Sequence, residues 1–174
     1  MIKANILSAL NKQIQHEQSN AQAYRAVSIY FGRVNLHRLE AFMAEQVQDE
    51  QLHAEKLIKH VCDRGGAVGL GAMSAPWPNF ESPLEAVKFV RDLERASTEM
   101  IHGLYELARK EGDYALEVRL HWFITEQIEE EKWSSELAAR MQQVHEHPEQ
   151  VFMLDHQWGK WLEQTNANVL GDRF

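Results

Sequence analysis

Four glutamates and one histidine carry the chemistry that this sequence suggests most strongly. Glu17, Glu50, Glu94 and Glu130 each interrupt an apolar stripe of helical periodicity, and His53 follows Glu50 in an E-x-x-H pair. Residues three apart on a helix share a face, so the Glu50 and His53 side chains converge. Carboxylate oxygens and one imidazole suit Fe, Mn or Zn. Because a buried carboxylate without a cation is costly, the pattern predicts a metal centre.

The stripes that these residues interrupt run along 6–31, 36–61, 87–108 and 116–144. At alternating spacings of three and four, each stripe is apolar at its ends and polar near its middle, and none contains Lys or Arg. In antiparallel helices the middle positions lie at one height. We therefore expect the four glutamates to meet in a single buried layer.

The ligand set predicted for this layer is asymmetric. Di-iron carboxylate bundles take one Glu from each of two helices and an E-x-x-H pair from each of the other two. Here the second pair is replaced by a Q-x-x-E, Gln127 to Glu130. We expect a better-furnished site from Glu17, Glu50 and His53, and a weaker one that Glu50 shares with Glu94 and Glu130.

The elements that must position these residues are helices. Long segments with few Gly or Pro residues predict helices at 3–32, 36–64, 83–111 and 114–145, and a shorter fifth helix at about 148–166. No strand-like alternation is present. The predicted fold is all-α, a single domain over residues 1–174, with a four-helix bundle over about 3–145.

Local signals mark where these helices begin and end. Asn35 is the predicted cap of the second helix. Ser82 and Pro83 open the third helix as a capping box with Pro at the first position. Gly112 closes the third helix, and Asp113 caps the fourth.

The connections determine the topology. Two or three residues join the first pair of helices and the second pair, so each pair is an antiparallel hairpin. The segment 65–81 spans about 55 Å if extended, and the second helix is about 43 Å long. One long crossover between two hairpins is the ferritin-like arrangement of a four-helix bundle. A plain linker between separate hairpins fits the same loop length.

Composition limits the partners. The formal net charge is −8, from 18 Lys and Arg against 26 Asp and Glu, which disfavours nucleic acid and anionic membranes. The single cysteine, Cys62, excludes a disulfide scaffold and a cysteine-based metal site. No apolar run approaches the length of a membrane span, and residues 1–5 carry no secretory pattern. We expect a cytoplasmic protein.

The sequence resembles the non-haem bacterial ferritins over nearly its whole length. The residues that carry the resemblance are His16, Glu17, Tyr24, the segment Asp49-Glu50-Gln51-Leu52-His53-Ala54-Glu55, Glu94, Trp122, Phe123 and the segment Glu126-Gln127-Ile128-Glu129-Glu130-Glu131. The resemblance implies a homo-oligomeric cage of 24 subunits that stores iron as a ferric mineral. It also implies a ferroxidase centre acting on Fe(II) with O₂ or peroxide, carried by Glu17, Glu50, His53, Glu94, Gln127 and Glu130.

The resemblance implies further roles for residues beside this centre. A third iron site would use Asp49, Glu126 and Glu129 and share Glu130, with Asp49 standing where a Glu is expected. Tyr24 matches a tyrosine that donates electrons to the irons. Haem-binding relatives carry Met at the position of Gln51, so no haem is expected.

Two other functions are compatible with the same residues. One is a di-iron oxidase or peroxide reductase of this fold that retains its metal. The other is a structural cage subunit whose site is vestigial. Iron retention separates storage from the first alternative, and the rate of Fe(II) oxidation separates it from the second.

Overall fold

Five helices make up the ordered architecture of the computed structural model, which describes residues 2–73 and 79–169, with side chains as far as Trp158. The helices are α1 (Ala4–Arg33), α2 (His37–Asp63), α3 (Pro83–Glu111), α4 (Tyr114–Val144) and α5 (Pro148–Val169). No strand occurs in the described ranges, and no helix found there is long and apolar enough to cross a membrane. The all-α prediction is confirmed.

Three of the predicted helix boundaries show the expected geometry. The Ser82 hydroxyl accepts a hydrogen bond from the Glu85 amide at 3.2 Å. The Asp113 carboxylate accepts one from the Leu116 amide at 3.1 Å. Gly112 has a φ of 68°, the left-handed conformation that ends a helix at little cost only when the residue is glycine.

The start of α2 differs from the prediction. Asn35 is not the cap: it has a φ of 61° and lies in the turn, while Leu36 occupies the cap position and provides no side-chain hydrogen bond. The exposed amides are instead satisfied from α5. Asp155, which is buried, accepts hydrogen bonds from the amides of Leu39 at 2.8 Å and Arg38 at 3.3 Å.

The described parts of the crossover between α2 and α3 contact α1 toward its two ends. Near the start of α1, the Asn11 side chain accepts a hydrogen bond from the Gly69 amide at 3.0 Å. At the end of α1, Arg33 donates to the Asn79 side chain at 3.3 Å. The helices α2 and α3 therefore begin at the same end, and the crossover topology is confirmed. Residues 74–78 of the predicted loop lie outside the described ranges.

The apolar core consists of two clusters separated by a polar layer. One cluster contains Val27, Phe31, Leu39, Met43, Val87, Leu137, Met141 and Trp158. The other contains Ile6, Leu10, Leu57, Val61, Ile101, Leu104, Leu120 and Phe123. All of these side chains are buried. The polar side chains predicted near the helix centres lie between the two clusters in sequence, so the stripes position them as a layer.

Candidate metal centre

The predicted layer brings six polar side chains into the interior of the bundle. Their exposed fractions are 3% for Glu17, 4% for Glu50 and His53, 1% for Glu94, 6% for Gln127 and 7% for Glu130. Each of the four bundle helices supplies one glutamate, in chain order from α1 to α4. Each glutamate lies near the middle of its helix's stripe. Buried carboxylates at this density require neutralisation by protons or by a cation.

Glu17, Glu50 and His53 have the geometry of a metal-ligand set. Each offers one ligand atom, and the three atoms lie within 4.8 Å of one another; no other group of three such side chains does so in the described part of the chain. His53 Nδ1 is 3.5 Å from Glu50 Oε2 and 3.8 Å from Glu17 Oε2. Ligands about 2.0–2.2 Å from one metal ion are separated by about 3–4 Å, so these separations fit a shared cation.

The chemistry of the donor atoms also fits a cation. Glu50 Oε2 is buried and accepts no hydrogen bond from the described residues. An orphaned carboxylate oxygen in the interior is destabilising unless a cation or proton contacts it. Within the described residues, Glu17 and Glu50 each form their ion pair with His53. One imidazole therefore faces two carboxylates.

Neighbouring amides and rings hold the first half of the centre. Gln13 Nε2 donates to Glu17 Oε1 at 2.7 Å, and Asn20 Nδ2 lies 3.4 Å from Glu50 Oε1. The His53 ring packs edge-on against Trp122 and Phe123, with centroid separations of 5.4 and 5.9 Å. Second-layer contacts of this kind orient metal ligands.

In the second half of the centre the carboxylates already accept hydrogen bonds. Tyr24 donates its hydroxyl to Glu94 Oε1, and Gln127 Nε2 lies 3.4 Å from Glu94 Oε2. Trp133 Nε1 donates to Glu130 Oε2 at 2.6 Å. Glu94 and Glu130 thus share the buried layer with the three-residue group without belonging to it.

Burial and mutual repulsion set the protonation of the carboxyl groups. Burial, with the charges of Glu17 and Glu94, holds the pKa of Glu50 well above its ordinary range. Burial raises the pKa of Glu94 to about 7, although hydrogen bonds from Tyr24 and Gln127 oppose the rise. Burial and the charge of Glu94 also raise the pKa of Glu130 well above its ordinary range. These groups hold protons that a metal ion would displace.

Glu17 and His53 form the charged pair of the layer. Burial opposes both charges, but hydrogen bonding with His53 and Glu50 lowers the pKa of Glu17. The hydrogen bond and charge of Glu17 raise the pKa of His53. Without a metal ion, the imidazolium is therefore the cation that this carboxylate faces.

Tyr24 lies in the layer as a hydrogen-bond donor. It is fully buried, and burial together with the charges of Glu94 and Glu130 raises the pKa of its hydroxyl well above 10. The hydroxyl therefore keeps its proton and donates to Glu94. Its predicted role as an electron donor stays a prediction.

The residues predicted for a third iron site are not gathered into a ligand set. Asp49 is exposed, with Gln46 Nε2 3.5 Å from its carboxylate. Glu129 is exposed and forms an ion pair with Lys132 at 3.4 Å. Glu126 is half-buried, and its negative charge raises the pKa of Glu130. A third site therefore stays a prediction.

Three supporting residues were not assigned a role from the sequence. Gln13 precedes Glu17 by four residues and Trp133 follows Glu130 by three, spacings that place each beside its glutamate on one helix face. Asn20 lies on the predicted stripe of α1. Spacing could identify them as neighbours, but the direction of an amide or indole N–H depends on side-chain rotamers.

Comparison with known proteins identifies the relatives of the chain. The family described as Ferritin-like domain matches residues 7–144. The bacterial non-heme ferritin of Staphylococcus aureus strain USA300 is 37% identical over 131 residues, which cover 75% of this chain and 79% of that protein. The bacterial non-heme ferritin of Staphylococcus epidermidis is also 37% identical over 131 residues, with the same coverage. The open-pore ferritin of Archaeoglobus fulgidus superimposes with a TM-score of 0.88 at 33% identity, covering 91% of this chain and 98% of that one.

Proposed function

The chain belongs to the ferritin family and is similar to its non-haem bacterial members, and on this premise we propose that it is an iron storage protein that oxidises Fe(II) at a di-iron site within each subunit. The observation that carries the proposal is the buried group of Glu17, Glu50 and His53, whose ligand atoms lie within 4.8 Å of one another. Iron is the substrate of this site, and O₂ or peroxide is the oxidant.

Binding of Fe(II) begins at the better-furnished half. Glu17 Oε2, Glu50 Oε2 and His53 Nδ1 face one another and hold the first iron. The second iron takes Glu94 and Glu130. Glu50 is shared between the two irons: its Oε2 lies 3.5 Å from His53 Nδ1 in the first half, and the charges of Glu94 and Glu130 in the second half raise its pKa. Gln127 supports the second half by donating toward Glu94.

Proton release accompanies this binding. Glu50, Glu94 and Glu130 have raised pKa values, and His53 also has a raised pKa. Because metal ligands must be deprotonated, Fe(II) displaces these protons from the layer. The deprotonated carboxylates favour Fe(III) over Fe(II), since the hard oxygen donors bind the more highly charged ion better. Each iron then loses one electron, and the pair supplies two electrons to the oxidant.

Storage requires that oxidised iron leave the site. We propose that iron leaves from the Glu94 and Glu130 half, where protein donors compete for the carboxylate oxygens, and enters the cavity of a self-assembled cage. The family resemblance supports a cage of 24 subunits. The proposal places the protein in the cytoplasm, and haem takes no part in it.

The test is stopped-flow mixing of the apoprotein with two Fe(II) per chain in aerated buffer, followed by larger additions. We expect rapid oxidation of the first addition and retention of far more iron than the sites hold. Fast oxidation that stops at the site stoichiometry would instead identify an oxidase or peroxide reductase that retains its metal. A rate no faster than buffer would indicate a structural subunit with a vestigial site.

A further inference from the structure

Trp133 contacts the second half of the metal centre, and no role for it follows from the proposed function alone. Its ring is 8% exposed, and its indole Nε1 donates to Glu130 Oε2 at 2.6 Å. We propose that Trp133 is a positioning residue that orients the Glu130 carboxylate for the second metal ion. This inference rests on the proposed function, since it assigns the geometry of the same centre.

The indole N–H contacts one of the two carboxylate oxygens of Glu130. Oε2 is occupied by the indole N–H at 2.6 Å, and Oε1 is the other oxygen of the same carboxylate. An indole nitrogen carries a donor and offers no lone pair to a metal ion. Trp133 therefore holds one oxygen without becoming a ligand, and it leaves Oε1 as the oxygen that coordinates.

The indole is itself held firmly by its neighbours. Its ring packs edge-on against Phe42 at a centroid separation of 4.7 Å and an interplanar angle of 82°. Its ring centroid also lies 6.5 Å from that of Tyr24. Phe42 and Tyr24 belong to the same apolar cluster as Trp133. Because close-packed rings have few alternative rotamers, the fixed direction of the N–H fixes the carboxylate that accepts it.

The effect is confined to one half of the centre. Trp133 donates to Glu130, whereas the first-half carboxylates accept from Gln13 and Asn20. Loss of the indole N–H removes a hydrogen-bond donor from Glu130, which belongs to the second metal ion alone in the proposed centre. A general loosening of the bundle would weaken both metal ions together, so the two explanations predict different binding curves.

The test is calorimetric titration of the assembled apoprotein with Zn²⁺, which favours the same ligand types. Trp133→Phe retains an aromatic ring and removes the N–H. We expect the affinity for the second Zn²⁺ per chain to fall by about 10- to 100-fold, the usual cost of losing a second-layer partner, with the first unchanged. Met141→Ala is the control for general loosening, because it removes buried packing from the same apolar cluster, eight residues along α4, and leaves the indole and its N–H in place.

Each outcome decides between these explanations. Selective loss of the second Zn²⁺ in Trp133→Phe, without the same selective loss in Met141→Ala, supports the positioning role. Two unchanged affinities in Trp133→Phe, an equal loss of both Zn²⁺ ions in Trp133→Phe, or the same selective loss in Met141→Ala would overturn it. If Trp133→Phe fails to assemble, Trp133→Leu is titrated instead with the same criteria. Wild-type protein that binds fewer than two Zn²⁺ per chain would contradict the proposed di-iron function itself.

Discussion

At the scale of single residues, Glu50 is the side chain on which the centre depends most. It is 4% exposed, its Oε2 accepts no hydrogen bond from the described residues, and it lies 3.5 Å from His53. The charges of Glu17 and Glu94 act on it from the two halves of the layer. In the proposed centre, Glu50 therefore serves both metal ions.

Replacement of Glu50 by alanine should abolish rapid Fe(II) oxidation. The loss should exceed the roughly 10- to 100-fold that removal of a second-layer partner costs, because a direct ligand of both ions is removed. The initial rate in stopped-flow absorbance measures the effect. Glu55→Ala, which removes an exposed glutamate from the same helix, should retain the wild-type rate. Equal rates for wild type and Glu50→Ala would contradict the role assigned to Glu50.

The burial of the proposed ligand residues could be predicted from the sequence, whereas the hydrogen bonds that support them could not. A carboxylate on an apolar stripe is visible in the periodicity, and Glu17, Glu50, Glu94 and Glu130 all proved to be buried. Trp133 also fits an ordinary apolar position on α4, and its hydrogen bond to Glu130 depends on a rotamer that packing selects. The sequence pattern predicts which side chains are buried, but it does not predict the direction of an N–H bond.

At the scale of elements, α5 completes the N-terminus of α2. Asp155 is 8% exposed and accepts hydrogen bonds from the amides of Arg38 and Leu39. The carboxylate satisfies the unpaired amides of the first turn and its charge complements the positive end of the helix dipole. The residue that caps α2 therefore comes from a helix more than 100 positions later in the chain.

Asp155→Ala should destabilise the protein by about 1–2 kcal/mol, the usual cost of losing a helix cap. Chemical unfolding followed by circular dichroism measures the change in free energy. Asp155→Asn should recover part of the loss, because its carbonyl oxygen still accepts a hydrogen bond. Asp92→Ala, at an exposed position, is the control. An Asp155→Ala variant as stable as wild type would show that this contact does not stabilise α2.

The prediction for α2 failed because capping was assumed to be local. Ser82, Gly112 and Asp113 are each next to the turn that they shape, so a short sequence window contains the signal. Asn35 has the right residue type and position, yet it adopts a φ of 61° within the turn. The cap came from α5, and no local pattern in α2 encodes a partner at that separation.

At the scale of the whole molecule, the buried layer makes the stability of the folded chain depend on pH. Glu50, Glu94 and Glu130 have pKa values raised by burial and by one another. Without metal, the folded state holds protons that the unfolded state releases more readily. Stability of the apoprotein and affinity for metal should therefore depend on pH in opposite directions.

The free energy of unfolding of the apoprotein should decrease as the pH rises. For Glu94, whose pKa rises from 4.5 to about 7, the contribution is fully present below pH 4.5 and is lost as the pH rises through about 7. At about 1.4 kcal/mol per pKa unit, its share is at most about 3.5 kcal/mol. The raised pKa of His53 also makes the free energy of unfolding decrease as the pH rises. The lowered pKa of Glu17 has the opposite effect, but only at acidic pH.

Urea unfolding of the apoprotein at a series of pH values measures this dependence. Glu94→Gln should reduce the slope, because the amide has no proton to lose, and Glu129→Gln, at an exposed position, should leave it unchanged. Saturating Zn²⁺ should stabilise the protein more at pH 8 than at pH 5, roughly as the ligands lose their protons. A wild-type slope in Glu94→Gln would contradict the assigned protonation.

The proposed function and the predictions that follow from it all depend on one claim, that metal ions bind in the buried layer. Anomalous diffraction from crystals of the assembled protein soaked in Fe(II) without oxygen tests it directly. We predict one peak among Glu17, Glu50 and His53 and a second, weaker peak between Glu50, Glu94 and Glu130. Iron found only at exposed carboxylates, with no anomalous density inside the bundle, would contradict the claim.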